Sequence, residues 1–436
     1  MEALITGGVV TALICLFLGI GIWIWAGLFL VSAGSLWIIL GMDMSRIGTI
    51  AATISYRYAS TWELAAVPLF IWMGEIIFRT DMSARLFRGL VPFVDKIPGR
   101  LLHTNVLGCT LFAAVSGSSA ATTATVGKIT MTELSRRGYD QRIAMGSLAG
   151  AGSFGLLIPP SIAMIIYGIL AEVSVSRLFA AGVFPGLMVA ALYSGWIMIR
   201  ALTSPQIAPQ GTERFTAMDY LRALGDLSPI IILMGVVLGS IYTGVATPSE
   251  AAAVGVLAAV VLASVTRQVS LSFFKETLMG TVRTSCMVCI ILVSAAFLST
   301  AMGYLHLPLQ IGQAIARLEL GPIGLIILLS IAYIILGIFL DGVAIIVMSL
   351  PVTLPLAVAA GYDPVWFGVF LVLMVEIGLL TPPVGINLFI LQGLTNKSLG
   401  EVSIAAFPFF MLMCIGTALL IIFPDIALWL PRMLYG

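Results

Sequence analysis

Charge is what this sequence has least of. Of its 436 residues only 9% are charged and 60% are hydrophobic, with a mean hydropathy of +1.12, whereas a soluble globular chain carries about 25% charged residues. A water-soluble fold is excluded, and the chain reads as an integral membrane protein. The formal net charge of +1 offers no basic footprint, so no nucleic-acid partner is expected. Short alternating strands, the mark of a membrane barrel, are also missing; the apolar runs are continuous and long enough for helices.

Reactive groups are equally sparse. There are two histidines and five cysteines. Cys286-Met-Val-Cys289 has redox or metal-ligand spacing, but no second pair or flanking histidine accompanies it, so these cysteines read as small packing residues. Gly127-Lys128 is followed by Ile129, not by the Ser or Thr of a nucleotide-binding loop. No ATP use is expected. No Ser/His, Asp/Asp or metal-ligand set lies at catalytic spacing within a span, which argues against an enzyme. Met1-Glu2-Ala3-Leu4 lacks the basic start of a cleaved signal peptide and is expected to remain in a span.

What is present is a break in an apolar run. Gly378-Leu-Leu-Thr-Pro-Pro-Val-Gly-Ile-Asn387 contains two prolines and a glycine inside a hydrophobic stretch. Pro382 and Pro383 remove two backbone donors, and free carbonyls at membrane depth are tolerated only inside protein or lining a cavity. Gly155-Leu-Leu-Ile-Pro-Pro160 repeats the first six positions with one difference, 223 residues earlier. Gly138-Tyr139-Asp140 maps onto Gly361-Tyr362-Asp363, and Pro185 onto Pro408, at the same offset. The chain therefore reads as two fused homologous halves, and matched helix breaks in two halves point to a secondary transporter's binding site.

The expected organisation is a first half over residues 1–201, a linker at 202–228 and a second half over 229–436. In each half, scaffold spans and an amphipathic arm come first, over 1–104 and 229–322, the arms lying near 42–61 and 265–284. Residues 80–104, with six charged side chains, read as an exposed connector. A re-entrant hairpin and a broken helix follow over about 105–170 and 323–394, then closing spans at 178–201 and 401–422. The hairpin tips fall on Ser116-Gly-Ser-Ser119 and on Asp341-Gly342. Connectors at 79–100 and 128–142 hold nine Lys and Arg residues, while their counterparts hold only Arg317. Basic loops stay cytoplasmic, so the halves are expected to be inverted, with five full spans each.

Two tips and two breaks meeting near the midplane would make two quasi-equivalent sites. The first comprises Ser116 to Ser119 with Gly152 to Ser161, and the second Asp341 and Gly342 with Thr381 to Asn387. Hydroxyls, amides and free carbonyls are hard oxygen donors, and half-helix ends can meet both an anion and a cation. Such clusters also occur where small residues let helices cross closely; the matched breaks favour a site. Asp341 reads as functional because it is an ionisable residue at a tip, Glu376 as a possible buried partner, and Glu250 as a capping-box residue after Thr247. A membrane scaffold would explain the composition but not breaks repeated at one offset.

Ser116-Gly-Ser-Ser-Ala-Ala-Thr-Thr-Ala-Thr-Val-Gly127, the Gly155–Ser161 break, Ala246-Thr-Pro-Ser-Glu-Ala-Ala-Ala-Val254, Leu340-Asp-Gly342, the Gly378–Asn387 break and Phe423-Pro-Asp-Ile-Ala-Leu-Trp-Leu-Pro431 resemble the large membrane subunit of the tripartite ATP-independent periplasmic (TRAP) transporters. The resemblance runs nearly end to end. It implies an all-α, elevator-type carrier of small organic acids in a bacterial inner membrane, driven by Na+. It also implies surrounding lipid, a small four-helix membrane subunit as a separate chain, and a periplasmic substrate-binding protein. Carried over, the sodium sites fall on Ser116, Gly117, Ser118, Ser119, Gly152, Ser153 and Pro159, and on Asp341, Gly342, Thr381, Pro382, Gly385 and Asn387. The substrate would meet Ser118, Ser119, Thr122, Pro160, Ser161, Pro383 and Asn387. Met164 stands where the second half has Asn387, so the two ion sites need not be alike. A stand-alone sodium/carboxylate symporter of the same architecture is the alternative.

Overall fold

The computed structural model describes residues 21–209, 215–316, 321–382 and 385–436. The first twenty residues, part of the linker, Arg317 and Pro383 lie outside the described residues. The described chain is all α-helical, with no strand among the described residues.

Among the described residues ten α-helices precede the linker: α1 Ile24–Leu40, α2 Met44–Ala59, α3 Ala66–Phe78, α4 Met82–Val94, α5 His103–Ser116, α6 Ser119–Arg136, α7 Gln141–Gly152, α8 Phe154–Leu157, α9 Ile162–Leu170 and α10 Val175–Thr203. Ten follow it: α11 Ala217–Tyr242, α12 Pro248–Val265, α13 Leu271–Tyr304, α14 Leu307–Ala316, α15 Pro322–Phe339, α16 Gly342–Ala359, α17 Pro364–Leu379, α18 Ile386–Thr395, α19 Leu399–Ile422 and α20 Asp425–Tyr435. Among the described residues seven helical stretches are long and apolar enough to cross a membrane, one of them the run Gln141–Ala171 that holds α7, α8 and α9, or eight if the bent pair Met44–Ala59 and Trp62–Phe78 counts as one span. On α15, Ile323, Ile327, Ile331 and Ile335 are all exposed. One residue per turn on one face makes an apolar stripe that suits lipid and not water.

The 223-residue offset carries into the elements. Shifting α6 by that amount gives the first and last residues of α16, and shifting Gln141 gives Pro364 at the start of α17. The Asp residues of the Gly-Tyr-Asp anchors are helix caps. Asp140 accepts from the amides of Arg142 and Ile143, and Asp363 from those of Val365 and Trp366, which satisfies donors left over at a helix start. Pro185 and Pro408 both lie inside long helices, α10 and α19. Packing between the two sets is reciprocal: α3 lies on α12 as α13 lies on α1, α7 on α19 as α17 on α10, and α6 on α18 as α16 on α9.

The centre of the molecule is built from the broken helices. Every residue from Val365 to Leu379 on α17 is buried, as is every residue from Ile143 to Gly152 on α7 and from Ile162 to Ile169 on α9.

The structure corrects three sequence expectations about connectors. Residues 80–104 are not an exposed connector: α4 buries Met82, Leu86, Phe87, Leu90 and Val91 against α5 and α11. The second arm near 265–284 is no separate element, because α13 runs unbroken for 34 residues, whereas its counterpart bends by 59° between α2 and α3. The linker is shorter than 202–228, since α11 begins at Ala217 under a Thr216 capping box.

Candidate functional site

The first hairpin turns at Gly117, whose φ of 59° lies in the left-handed region that glycine enters at no steric cost. Ser118 then caps α6 by accepting from the amide of Ala121. The Ser116 and Thr122 hydroxyls lie 2.7 Å apart, and Thr122 donates to the Ser118 carbonyl at 2.8 Å. The tip is thus a small hydroxyl-lined loop that holds its own shape.

The first break receives this tip. Chain direction changes after Gly152, makes the single turn α8, and restarts at Ile162 after Pro159 and Pro160. Ser161 caps the restart: it accepts from the Met164 amide at 3.3 Å and donates to the Leu156 carbonyl at 2.5 Å. Phe154 stacks on Tyr193 of α10 at 5.5 Å, and Tyr193 meets Phe409 of α19 edge-on at 5.2 Å. A Cβ on Gly155 would collide with the backbone of Ser118 and Ser119, and one on Gly117 would sit 3.2 Å from the Pro160 carbonyl. Gly152 faces the Thr123 hydroxyl in the same way. The small residues predicted for the first site therefore sit where tip and break touch backbone to backbone.

The second set is built differently. Asp341 occupies the cap position of α16, half-buried, and Gly342 abuts Val375 of α17 and Leu156 of the first break. Gly378 packs on Gly337, so α15 and α17 cross backbone to backbone. Thr381 is half-buried and donates to the Ile377 carbonyl at 2.8 Å, while Pro382 is exposed. Gly385 restarts the helix at a φ of 30°. Asn387 is fully buried, and neither atom of its amide has a hydrogen-bond partner.

One residue left as only a possible partner by the sequence joins the two sets. Glu376 on α17 is fully buried, and its Oε1 accepts from the Ser119 hydroxyl at 2.5 Å and from the Leu156 amide at 3.1 Å. Its Oε2 has no partner. The signal was a carboxylate in an otherwise apolar helix next to a break. Its partner Ser119, 257 positions away in sequence, was expected at the tip, but nothing in the sequence paired the two.

Unpartnered buried side-chain atoms among the described residues include Thr123 Oγ1, Glu376 Oε2 and both amide atoms of Asn387. An unsatisfied buried polar group costs about 1–3 kcal/mol, so its persistence at a break asks for a ligand. Hydroxyl, amide and carboxyl oxygens suit a small hard cation, and the donor set fits Na+. The starts of α6, α9 and α16 lie at the hairpin tips and the first break, and helix N-termini suit an anion.

Two clefts flank the centre. One of about 600 Å³ lies between α2, the start of α12 and the turn after α9, bridged by an Arg57–Glu172 ion pair at 3.1 Å. The other, about 630 Å³, lies between α6, α7 and α18 and is lined by Lys128, Arg136 and Lys397.

Comparison with known proteins bears on the family and the fold. Residues 9–426 match the family model described as "Tripartite ATP-independent periplasmic transporter, DctM component". A C4-dicarboxylate TRAP transporter large permease of Pseudomonas aeruginosa is 34% identical over 380 residues, covering 87% of this chain and 88% of the relative. An ectoine/5-hydroxyectoine TRAP large permease of Ruegeria pomeroyi is 35% identical over 377 residues, 86% and 87% of the two chains. A sialic acid TRAP large permease of Vibrio cholerae is 30% identical over 379 residues, 86% and 87%. Among solved structures, the YdaH transporter of Alcanivorax borkumensis shares the fold, with a TM-score of 0.63 at 15% identity over 90% of both chains.

Proposed function

The chain belongs to the DctM component family of the tripartite ATP-independent periplasmic transporters, and we propose that it is the large permease subunit of a sodium-coupled carrier for a small organic acid. On this reading it lies in a bacterial inner membrane, beside a small membrane subunit, and receives substrate from a periplasmic binding protein. The observation that carries the reading is the first hairpin tip closed against the first break and tied to Glu376 of the second half, with Gly342 of the second tip packed on Leu156 and Glu376 Oε2 left without a partner among the described residues. Relatives named for C4-dicarboxylates, ectoines and sialic acid support a small polar organic cargo and leave its identity to the binding partner.

The residues divide the work. The tip Ser116–Ser119 with Gly152, Ser153 and Pro159, and Asp341–Gly342 with Thr381 and Asn387, would hold sodium. Amide ends and hydroxyls at Ser118, Ser161 and Asn387 would meet the carboxylate once sodium has lowered its cost of burial. Reciprocal packing between the halves is what a two-fold relation produces and, with the one-sided Lys and Arg content, supports inverted repeats. The cleft bridged by the exposed Arg57–Glu172 pair supports an elevator motion, since such an ion pair holds the surfaces weakly. Lys128, Arg136 and Lys397 make the opposite cleft suited to a departing anion.

Uptake into proteoliposomes tests the reading. The chain and its small subunit are assayed with a panel of organic acids, with and without a sodium gradient and a binding protein. Uptake requiring both is expected. Sodium-driven uptake without a binding protein would mean a stand-alone symporter, and sodium-independent uptake would overturn the ion sites.

A further inference from the structure

We propose that Glu376 is a positioning residue that couples the two ion sites, so that sodium at one is felt at the other. The inference rests on the sodium-coupled reading above. Glu376 belongs to the second half by sequence but spends its hydrogen bonds on the first: Oε1 takes the Ser119 hydroxyl from the hairpin tip and the Leu156 amide from the break. One atom thereby ties together the two pieces that must close around a first-site ion. The same helix reaches Thr381 and the second break five residues later, and the Thr381 hydroxyl bonds back to Ile377, the residue after Glu376. Gly378 seats α17 against α15 by backbone contact, so the helix cannot shift at one end without moving the other.

The brace is not a requirement of the architecture. At the 223-residue offset the counterpart of Glu376 is Ser153 and that of Ser119 is Gly342. Ser153 bonds within its own helix, to the Gly150 carbonyl at 2.5 Å, and Gly342 has no side chain to offer. Gly342 packs against Val375 and Leu156 instead, neither of which is the counterpart of Glu376. The symmetry is broken at both ends of one bond, and a carboxylate buried away from any cationic side chain among the described residues is costly to keep. A functional coupling accounts for that cost, because two sites linked through one rigid element bind cooperatively.

The test is sodium titration of the purified full chain with its small subunit, read both as thermal stabilisation and as uptake. Wild type is expected to give a Hill coefficient above one. Glu376→Gln keeps a carbonyl oxygen for both donors and should stay cooperative, whereas Glu376→Leu should bring the Hill coefficient to about one and weaken first-site sodium affinity about tenfold. Should the Leu variant fail to fold, Ser119→Ala removes one of the two bonds; because Ser119 itself belongs to the proposed first site, it is read on the Hill coefficient and not on affinity, and it should lower that coefficient toward one. In the double variant Glu376→Gln with Ser119→Ala, the Ser119 change should dominate without adding to it. A Ser119→Ala or Glu376→Leu protein that retains the wild-type Hill coefficient overturns the coupling while leaving the carrier reading intact. A wild-type chain indifferent to sodium overturns the carrier reading itself.

Discussion

The two breaks share a sequence pattern but not a chemistry. At the first, between Gly152 and Ile162, the hydroxyls of Ser153 and Ser161 bond to nearby carbonyls, and the position equivalent to Asn387 is Met164, buried against Gly182. At the second, Thr381 is half-buried, Pro382 is exposed, and Asn387 keeps both amide atoms buried and unpaired. The first break answers its own serine hydroxyls within the chain. At the second, Asn387 has no partner among the described residues. The comparison teaches that one repeated sequence motif can have its polar groups satisfied locally in one copy and left open in the other.

The comparison can be broken most severely at its glycines. Gly155→Ala places a methyl group in the Ser118–Ser119 backbone, with no side chain able to move aside, and should cost about 3 kcal/mol or more; thermal unfolding in detergent, or loss of folded protein on expression, reads it. Gly378→Ala meets the Gly337 Cα and should be comparably damaging, although it lies outside the first site. Exchange of the unequal pair sharpens the contrast. Met164→Asn buries an amide among apolar neighbours and should destabilise by about 2 kcal/mol. Asn387→Leu should raise stability by about 1 kcal/mol while weakening sodium dependence at least tenfold. Wild-type sodium dependence in Asn387→Leu or Asn387→Ala would remove Asn387 from the site.

Smaller effects follow at the edges. Ser161→Ala loses a helix cap and should cost about 1 kcal/mol in thermal unfolding, with sodium affinity changed far less than by Asn387→Leu. Glu172→Ala opens an ion pair whose side chains are 66% and 69% exposed and should cost less than about 0.5 kcal/mol. Its effect should appear instead as a change in transport rate that fades with added salt.

Some of this was legible because it is local chemistry. The anchors at Asp140 and Asp363 are N-caps, and Pro185 and Pro408 sit inside long helices at matching places; each acts on its own few neighbours, so its mark survives in the sequence. Thr247 with Glu250 forms the expected capping box. The helix α4 was missed although its pattern was present: Met82, Leu86, Phe87, Leu90 and Val91 line one face, and the charges of Arg85 and Arg88 on the other, paired with Asp81 and Asp226, drew attention away from it. The continuity of α13 could not be read, since nothing in an unbroken helical pattern says whether it bends.

By itself the sequence determined the class, the pattern that recurs at one offset and the positions of the helix breaks, because lipid forces helices wherever apolar runs occur and allows interruption only inside protein. Only the tertiary structure decided which polar groups would be answered. Glu376 finds Ser119 across the two halves, while Asn387 finds nothing among the described residues. Those outcomes depend on which helix faces lie together in the folded chain, and no spacing along the sequence records that.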